Sequence, residues 1–517
     1  MKTCTVRAHA GQTILEALRG DHHAIDAPCG GRTRCIRCMV QVSDDSTQSP
    51  IVEPPSSEEG ALVGQTRLAD GWRLACRARL VTSGDISLKL PDGRLEIPDF
   101  PVRARKWSNA AQRTDGQFVI AIDIGTTTVA AILVDRTRGE PVGRVAEANL
   151  QRSWGADVIA RIEHAISERA SAQSMQSLIQ AQLERMILVL CADHGLADAP
   201  PVFVCGNTAM LHLLEGEDVS GLARMPFRPV FLDSRITRLG KRQIPARLCA
   251  SLSAFVGSDI TAGLFACGLD GEVSAPRFLI DIGTNGEMAL VLPGRILVTA
   301  TAAGPAFEGE NIACGSTAIA GAIDHVWVED EAGGDGAIRF SSLDSENARP
   351  ASICGSGLLD LIACLRQLEI IDEGGAFDTK EARFSFGEGL PYLTQGDVRQ
   401  FQLAKGAIAA GIELLCKRAG VAFDEVETIY LAGGFGSTLA PDSALTVGLL
   451  PAAFTDRIEV AGNTALNGTV SLGVDPALFD AVDHIRQRVE VVDLAADPGF
   501  GDVFAANMLF PENDGDA

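Results

Sequence analysis

A small α+β module joined by a short linker to a much larger α/β module is the architecture this 517-residue sequence predicts. Three observations carry that expectation. Four of the five cysteines in the first 76 residues fall in a three-plus-one arrangement. A stretch holding Pro91, Pro98 and Pro101 and a basic run from Arg103 to Lys106 separates them from everything that follows. Beyond it, strand-like and helix-like runs alternate, as in helices packed on sheets, and one strand–turn–strand unit occurs twice.

In the first module, residues 1–90, short alternating runs such as Met39-Val40-Gln41-Val42 and Ile86-Ser87-Leu88-Lys89-Leu90 read as strands, with one helical run over residues 13–19. Residues 91–116 have no sustained period and read as a linker. In the large module, residues 118–122, 201–204 and 278–280 are apolar strands. Helical spacing appears at Val158, Ile159, Ile162 and Ile166, at Leu178, Leu183, Met186, Ile187 and Leu190, and over residues 402–418 before Gly420. The module divides into residues 117–215 and 216–517, one copy of the repeated unit in each.

Composition excludes several classes. Apolar residues at 46% and charged residues at 21% describe an ordinary globular chain. A net charge of -23 argues against nucleic acid as a partner, because phosphate binding needs a basic surface. The N-terminus has no secretory h-region, so a cytoplasmic location is expected. The most membrane-like stretch, residues 250–269, contains Asp259 and several glycines and reads as a buried helix, not a span.

Thirteen cysteines in such a chain are expected to be mostly reduced, and nine, scattered among apolar neighbours, read as small buried hydrophobes. The other four differ. Cys29, Cys35 and Cys38 form C-x5-C-x2-C, and Cys76 follows in a separate segment. This resembles the [2Fe–2S] ferredoxin pattern, with the longer first gap of the adrenodoxin-like branch, and implies a β-grasp fold with these thiolates as ligands. Gly30 and Gly31 let the loop wrap the cluster. Zinc ribbons usually pair two C-x2-C knuckles, whereas only one is present. Arg32, Arg34, Arg37, Arg73, Arg77 and Arg79 surround the ligands as a basic rim, either solvated or a docking face for an acidic redox partner.

The large module has no G-x-x-x-x-G-K-[ST], which excludes a P-loop. Instead Asp123-Ile124-Gly125-Thr126-Thr127 and Asp281-Ile282-Gly283-Thr284-Asn285 each follow an apolar strand. Gly and Thr at a tight turn present N–H groups and hydroxyls to phosphates, and the Asp stands beside them for Mg²⁺ or a water. A third strand runs into Gly433-Gly434-Phe435-Gly436, where bare backbone lets an adenosine lie close. The three loops, in this order, resemble the phosphate-1, phosphate-2 and adenosine loops of the actin/Hsp70/hexokinase superfamily, which implies an α/β ribonuclease-H-like ATPase.

The resemblance extends to Gly304-Pro305-Ala306-Phe307-Glu308-Gly309, Ser352-Ile353-Cys354-Gly355-Ser356-Gly357, Gln402-Leu403-Ala404-Lys405-Gly406, Gly462-Asn463-Thr464-Ala465-Leu466, Gly206-Asn207-Thr208-Ala209-Met210 and Val256-Gly257-Ser258-Asp259. With these, the sequence is similar end to end to the reductive activators of corrinoid proteins, which are ferredoxin–ATPase fusions. The resemblance implies ATP-dependent transfer of one electron from a [2Fe–2S] cluster to cob(II)alamin, restoring cob(I)alamin. It implies as partners a corrinoid protein of a methyltransferase system and a low-potential electron donor, and a homodimer. Asp123 and Asp281 are then expected to position Mg²⁺ and the attacking water, with Glu308 as a further catalytic candidate. Gly125, Thr126, Thr127, Gly283, Thr284, Asn285 and Glu287 are expected at the phosphates of ATP, and Gly433, Gly434 and Gly436 at the adenosine. An ATP-driven donor to a non-corrinoid enzyme, a small-molecule kinase with a regulatory cluster, and a redox-sensing binding module are the competing readings.

Overall fold

The structure is a computed structural model describing residues 2–21, 37–42, 51–90, 117–329, 336–346, 348–378, 383–436 and 438–512, with single residues 23, 25, 27 and 31 between the first two stretches. The linker expected at 91–116, and Cys29 and Cys35, lie outside the described residues.

The N-terminal module is a four-stranded sheet in the order Lys2–Ala8, Gly84–Leu90, Met39–Val42, Trp72–Leu74, every neighbouring pair antiparallel. The helix Ile14–Gly20 buries Ile14, Leu15, Ala17 and Leu18 in its core. Thr13 starts that helix because its hydroxyl accepts from Glu16 N while Glu16 accepts from Thr13 N, a capping box.

Two six-stranded sheets follow. The first runs Glu140–Ala148, Thr128–Asp135, Phe118–Ile124, Val202–Gly206, Ile244–Leu248, Arg235–Leu239. The second runs Ile458–Gly462, Thr428–Ala432, Arg277–Ile282, Gly286–Leu292, Arg295–Thr301, Val489–Val491. In each, the DIGT-bearing strand pairs antiparallel with the strand after its turn and parallel with a strand reached by crossover. The repeat seen in sequence is therefore a repeated topology. The first sheet extends beyond residue 215, the division expected from sequence, to Leu248, because the hairpin of Arg235–Leu239 and Ile244–Leu248 adds to its far edge.

Between the two sheets lie the helices Ser258–Ala266 and Thr464–Val474, and one core cluster draws on both lobes, from Val119 and Ala121 to Leu279 and Ala289. The two helices approach through glycine: a Cβ on Gly468 would stand 1.7 Å from Ala262 O. Residues 250–269 thus contain a short buried helix, and no helix among the described residues is long and apolar enough to cross a membrane. The helix expected over 402–418 is Gln395–Ala419, seven residues longer at its start. Thr394 and Asp397 close a capping box there that the intervening Gly396 obscures in the sequence, and Gly420 ends the helix at φ +70°.

Candidate functional site

Both DIGT strands end at one cavity of ≈ 320 Å³ between the lobes. Asp123 is the penultimate residue of Phe118–Ile124, and Asp281 that of Arg277–Ile282, so the topology delivers the two carboxylates to the same cleft. Gly125, Thr126, Thr127, Gly283, Thr284, Asn285, Glu287, Glu308, Gly433 and Gly434 all line it as well. Gly436 does not, being buried against Leu431 at the end of the short helix Gly433–Gly436.

The first loop is held from behind. Gly125 N donates to Thr128 O at 2.9 Å, and a Cβ on Gly125 would meet that oxygen at 2.7 Å. Asn149 Nδ2 donates to Gly125 O at 2.8 Å, and the fully buried Arg161 donates to Thr126 O at 2.5 Å and Gly155 O at 3.0 Å. Glu308 joins the two loops, its carboxylate accepting from the Thr127 hydroxyl and from Thr284 Oγ1 at 2.5 Å. Gly433 sits at φ +89°, and a Cβ there would be 2.4 Å from Asp281 Oδ1, so only glycine fits beside that carboxylate. Among the described residues, no heavy atom beyond its chain neighbours lies within 4 Å of a Cβ built on Gly434, which is exposed at the cavity.

The acids share little countercharge. Burial pushes the Asp123 carboxyl up to about 6, opposed by a hydrogen bond from Asn463 Nδ2 at 3.1 Å. Burial pushes Asp281 up to about 8, with repulsion from Asp259 and Asp123 adding to it. Asp259, at the start of the helix Ser258–Ala266, rises to about 7 by burial and the nearby Asp123. Burial, then Asp259 and Asp281, push Glu287 well up. The three aspartates are only partly covered by protein, since each faces the cavity. No three His, Cys, Asp or Glu side chains among the described residues are placed to hold a metal directly. The donor set is nevertheless that of Mg²⁺, which prefers carboxylate oxygen and keeps several of its waters.

Two asparagines of the Gly-Asn-Thr-Ala segments, Asn207 and Asn463, tie the lobes together. Asn207 caps Thr208–Glu215 and Asn463 caps Thr464–Val474, each accepting from the helix it opens. Their amide nitrogens cross over: Asn207, in the first lobe, donates to Glu287 Oε1 of the second at 3.0 Å, while Asn463, in the second, donates to Asp123 of the first. The signal was available, because strand–Gly-Asn-Thr-Ala–helix occurs twice, like the DIGT unit. Asp259 and the stacked rings of Phe307 and Phe435, 4.6 Å apart at the cavity wall, had no such signal.

In the N-terminal module Cys38 and Cys76 are both buried, and both act electrostatically on the half-buried Arg19, whose guanidinium desolvation lowers to about 10. Gly31 sits at φ +87°, where a Cβ would be 3.3 Å from Leu15 and 3.6 Å from Cys76 Cβ. Gly31 set this closely against Cys76, with Cys38 buried in the same module, fits residues that hold an iron–sulfur group. The basic rim is a different matter. Arg73 is buried on Glu59 at 2.9 Å, Arg77 pairs with Glu58, and Arg79 Nη1 donates to Gly11 O at 2.8 Å. These side chains brace the module, Arg73 is only 7% exposed, and Arg32 and Arg34 lie outside the described residues.

Family models match in register with this architecture: the 2Fe-2S iron-sulfur cluster binding domain over residues 1–81, the RACo middle region over 118–272, and the C-terminal domain of RACo, the ASKHA domain, over 275–517. The chain is 31% identical over 430 residues to the corrinoid activation enzyme RamQ of Eubacterium limosum, covering 76% of this chain and 70% of that one. It is 24% identical over 399 residues to the Co(II) methylated amine-specific corrinoid protein reductase of Methanosarcina barkeri, covering 72% of each. Among solved structures, a reductive activator for corrinoid,iron-sulfur protein superposes with a TM-score of 0.69 at 25% identity, covering 98% of this chain and 97% of that one.

Proposed function

This chain belongs to the family of ferredoxin–ATPase corrinoid activators, and we propose that it spends ATP to deliver one electron to the cob(II)alamin of a corrinoid protein, restoring cob(I)alamin. The observation that carries the reading is the pair of Asp-tipped loops tied together by Glu308, in a chain that also buries two ferredoxin-pattern cysteines.

Cys29, Cys35, Cys38 and Cys76 would hold a [2Fe–2S] cluster, which supplies a one-electron carrier at about -400 mV in plant-type ferredoxins. The backbone and hydroxyls of Gly125, Thr126, Thr127, Gly283, Thr284 and Asn285 take the phosphates, and Gly433 and Gly434 the adenosine. Asp123, Asp259 and Asp281 would hold Mg²⁺ through its waters, and the ion would offset phosphate charge. Asp123 and Asp281 orient the attacking water; burial raises both carboxyls in the nucleotide-free protein, and the Mg²⁺ they would hold favours their ionised forms, in which a carboxylate can accept the water's proton. Asn463 donates to Asp123 Oδ2 across the cleft, so residues of both lobes complete the water site. An uphill transfer of about 100–200 mV needs roughly 2–5 kcal/mol at ~59 mV per tenfold. ATP turnover supplies that if nucleotide states bind the two arrangements of the protein unequally. The partner belongs to a methyltransferase system, a low-potential donor loads the chain, and the working form is a cytoplasmic homodimer.

The test is anaerobic. Purified protein is mixed with a cob(II)alamin-loaded carrier and a low-potential reductant, and the cob(I) band is followed with and without Mg·ATP. Growth of the band only with ATP is expected. A reducible cluster and active ATPase with no cob(I) on any corrinoid carrier would instead favour a non-corrinoid acceptor.

A further inference from the structure

Residues 304–316 serve two sites at once. Glu308 reaches the phosphate loops through Thr127 and Thr284. Immediately after it, the same segment receives the ferredoxin module: Arg37 Nη2 donates to Gly309 O at 3.1 Å and to Gly315 O at 2.9 Å, and Arg37 Nη1 lies 3.9 Å from Glu310 Oε1. Arg37 directly precedes Cys38 in the chain. Glu310 is buried and paired with the buried Arg152 at 2.9 Å. The next residues continue the contact, for Ser153 Oγ donates to Ile25 O at 3.1 Å and Arg19 lies 4.9 Å over the Trp154 ring.

The segment is too tight to absorb a displacement locally. A Cβ on Gly309 would meet Ser316 O at 2.3 Å, and one on Gly315 would meet Gly309 O at 2.2 Å, so the loop is closed on itself through glycine. Ser316 N is also tied to Ile353 O at 3.0 Å. A shift of Glu308 therefore carries the carbonyls of Gly309 and Gly315 with it.

We propose that Arg37 is a positioning residue through which nucleotide occupancy controls docking of the ferredoxin module on the ATPase. The proposal rests on reading the two DIGT loops as phosphate-binding. A terminal phosphate that takes the Thr127 and Thr284 hydroxyls repels the Glu308 carboxylate. The closed loop shifts with it, and Arg37 loses its acceptors. Without triphosphate the module is held against the segment around Ser153 and Glu310; with it, the module is released toward an electron acceptor. Linkage makes the effect reciprocal: loosening the dock must tighten triphosphate binding by the same factor.

The experiment uses full-length, cluster-loaded protein and Mg·AMP-PNP, with affinity from calorimetry and docking from amide hydrogen exchange over residues 150–157 and 309–316. Arg37→Ala should bind Mg·AMP-PNP about five-fold or more tighter than the parent. Arg37→Lys, with one compact donor group in place of the guanidinium fork, should fall between. In the parent, Mg·AMP-PNP should speed exchange in both segments, and in Arg37→Ala exchange should already be fast. If Arg37→Ala fails to load a cluster, Arg19→Ala weakens the same dock away from the ligand loop and must shift affinity in the same direction. Unchanged or weaker nucleotide binding in these variants overturns the proposal, even where the parent makes cob(I) only with ATP. A parent that does not bind Mg·AMP-PNP at all overturns both this proposal and the phosphate-loop reading beneath it.

Discussion

Replacing Asp281 by Asn should stabilise the nucleotide-free protein and abolish ATP-dependent activation. Asp281 carries an ordinary pKa of 3.8 when unfolded and about 8 in the fold, pushed up by burial and by Asp259 and Asp123. Between those values the folded state holds a proton that the unfolded state has released, so stability falls as pH rises through this window. Near pH 7 the full cost, at 1.36 kcal/mol per tenfold, is about 4 kcal/mol. Water in the open cavity and sharing of protons with the neighbouring acids reduce it, and ~1–2 kcal/mol is the expected gain from Asn. For a lobe of this size that is a rise of roughly 2–8 °C in melting temperature. Calorimetric melts of parent and Asp281→Asn from pH 5.5 to 8.5, without nucleotide, measure it, and the parent's decline with pH should flatten in the variant. The variant should keep its cluster absorbance but make no cob(I) in response to ATP. A melting temperature lower than the parent's across the range would refute the reasoning that this carboxylate is held against its own solvation. Normal ATP-dependent activation would refute its role.

Other expectations test separate parts. Cys38→Ser and Cys76→Ser should each abolish the visible absorption of the reconstituted cluster while leaving nucleotide affinity intact; full cluster content in either would exclude that residue as a ligand. Asn463→Ala removes the hydrogen bond that favours ionised Asp123, so the acid limb of the ATPase pH profile should move to higher pH, and an unmoved limb would show that Asp123 ionisation does not limit turnover. Gly468→Ala places a Cβ on the Ala262 carbonyl, and denaturant unfolding should show a loss of about 1–3 kcal/mol or more; a neutral result would mean that the two interlobe helices separate readily.

Local chemistry was legible where a residue's role depends on its neighbours in the chain. The capping boxes, the Gly420 stop and the strand before each DIGT turn follow from short-range hydrogen bonding, which a few consecutive residues determine. The start of Gln395–Ala419 was missed because Gly396 weakens the helical pattern that the Thr394–Asp397 cap restores. Gly436 looked equivalent to Gly433 and Gly434 in sequence, yet a short helix turns it inward. Arg73 looked like a surface charge because nothing nearby in the chain announces its partner, Glu59, fourteen residues away.

By itself the sequence determined the two-module order, the ferredoxin-type cysteine pattern, and the duplicated Asp-Ile-Gly-Thr turn, since each is written in residue types and spacings that can be read along the chain. Only the tertiary structure decided what meets across the cleft. Asn207 reaches Glu287 and Asn463 reaches Asp123 over separations of 80 and 340 residues, and Arg37 reaches Gly309 over 272. The two asparagine contacts and the raised proton affinity of the aspartates come from burying groups of distant origin in one cavity, and the Arg37 contact from docking the first module on the second. Burial and electrostatic coupling depend on distance in space, and the chain's order does not record it.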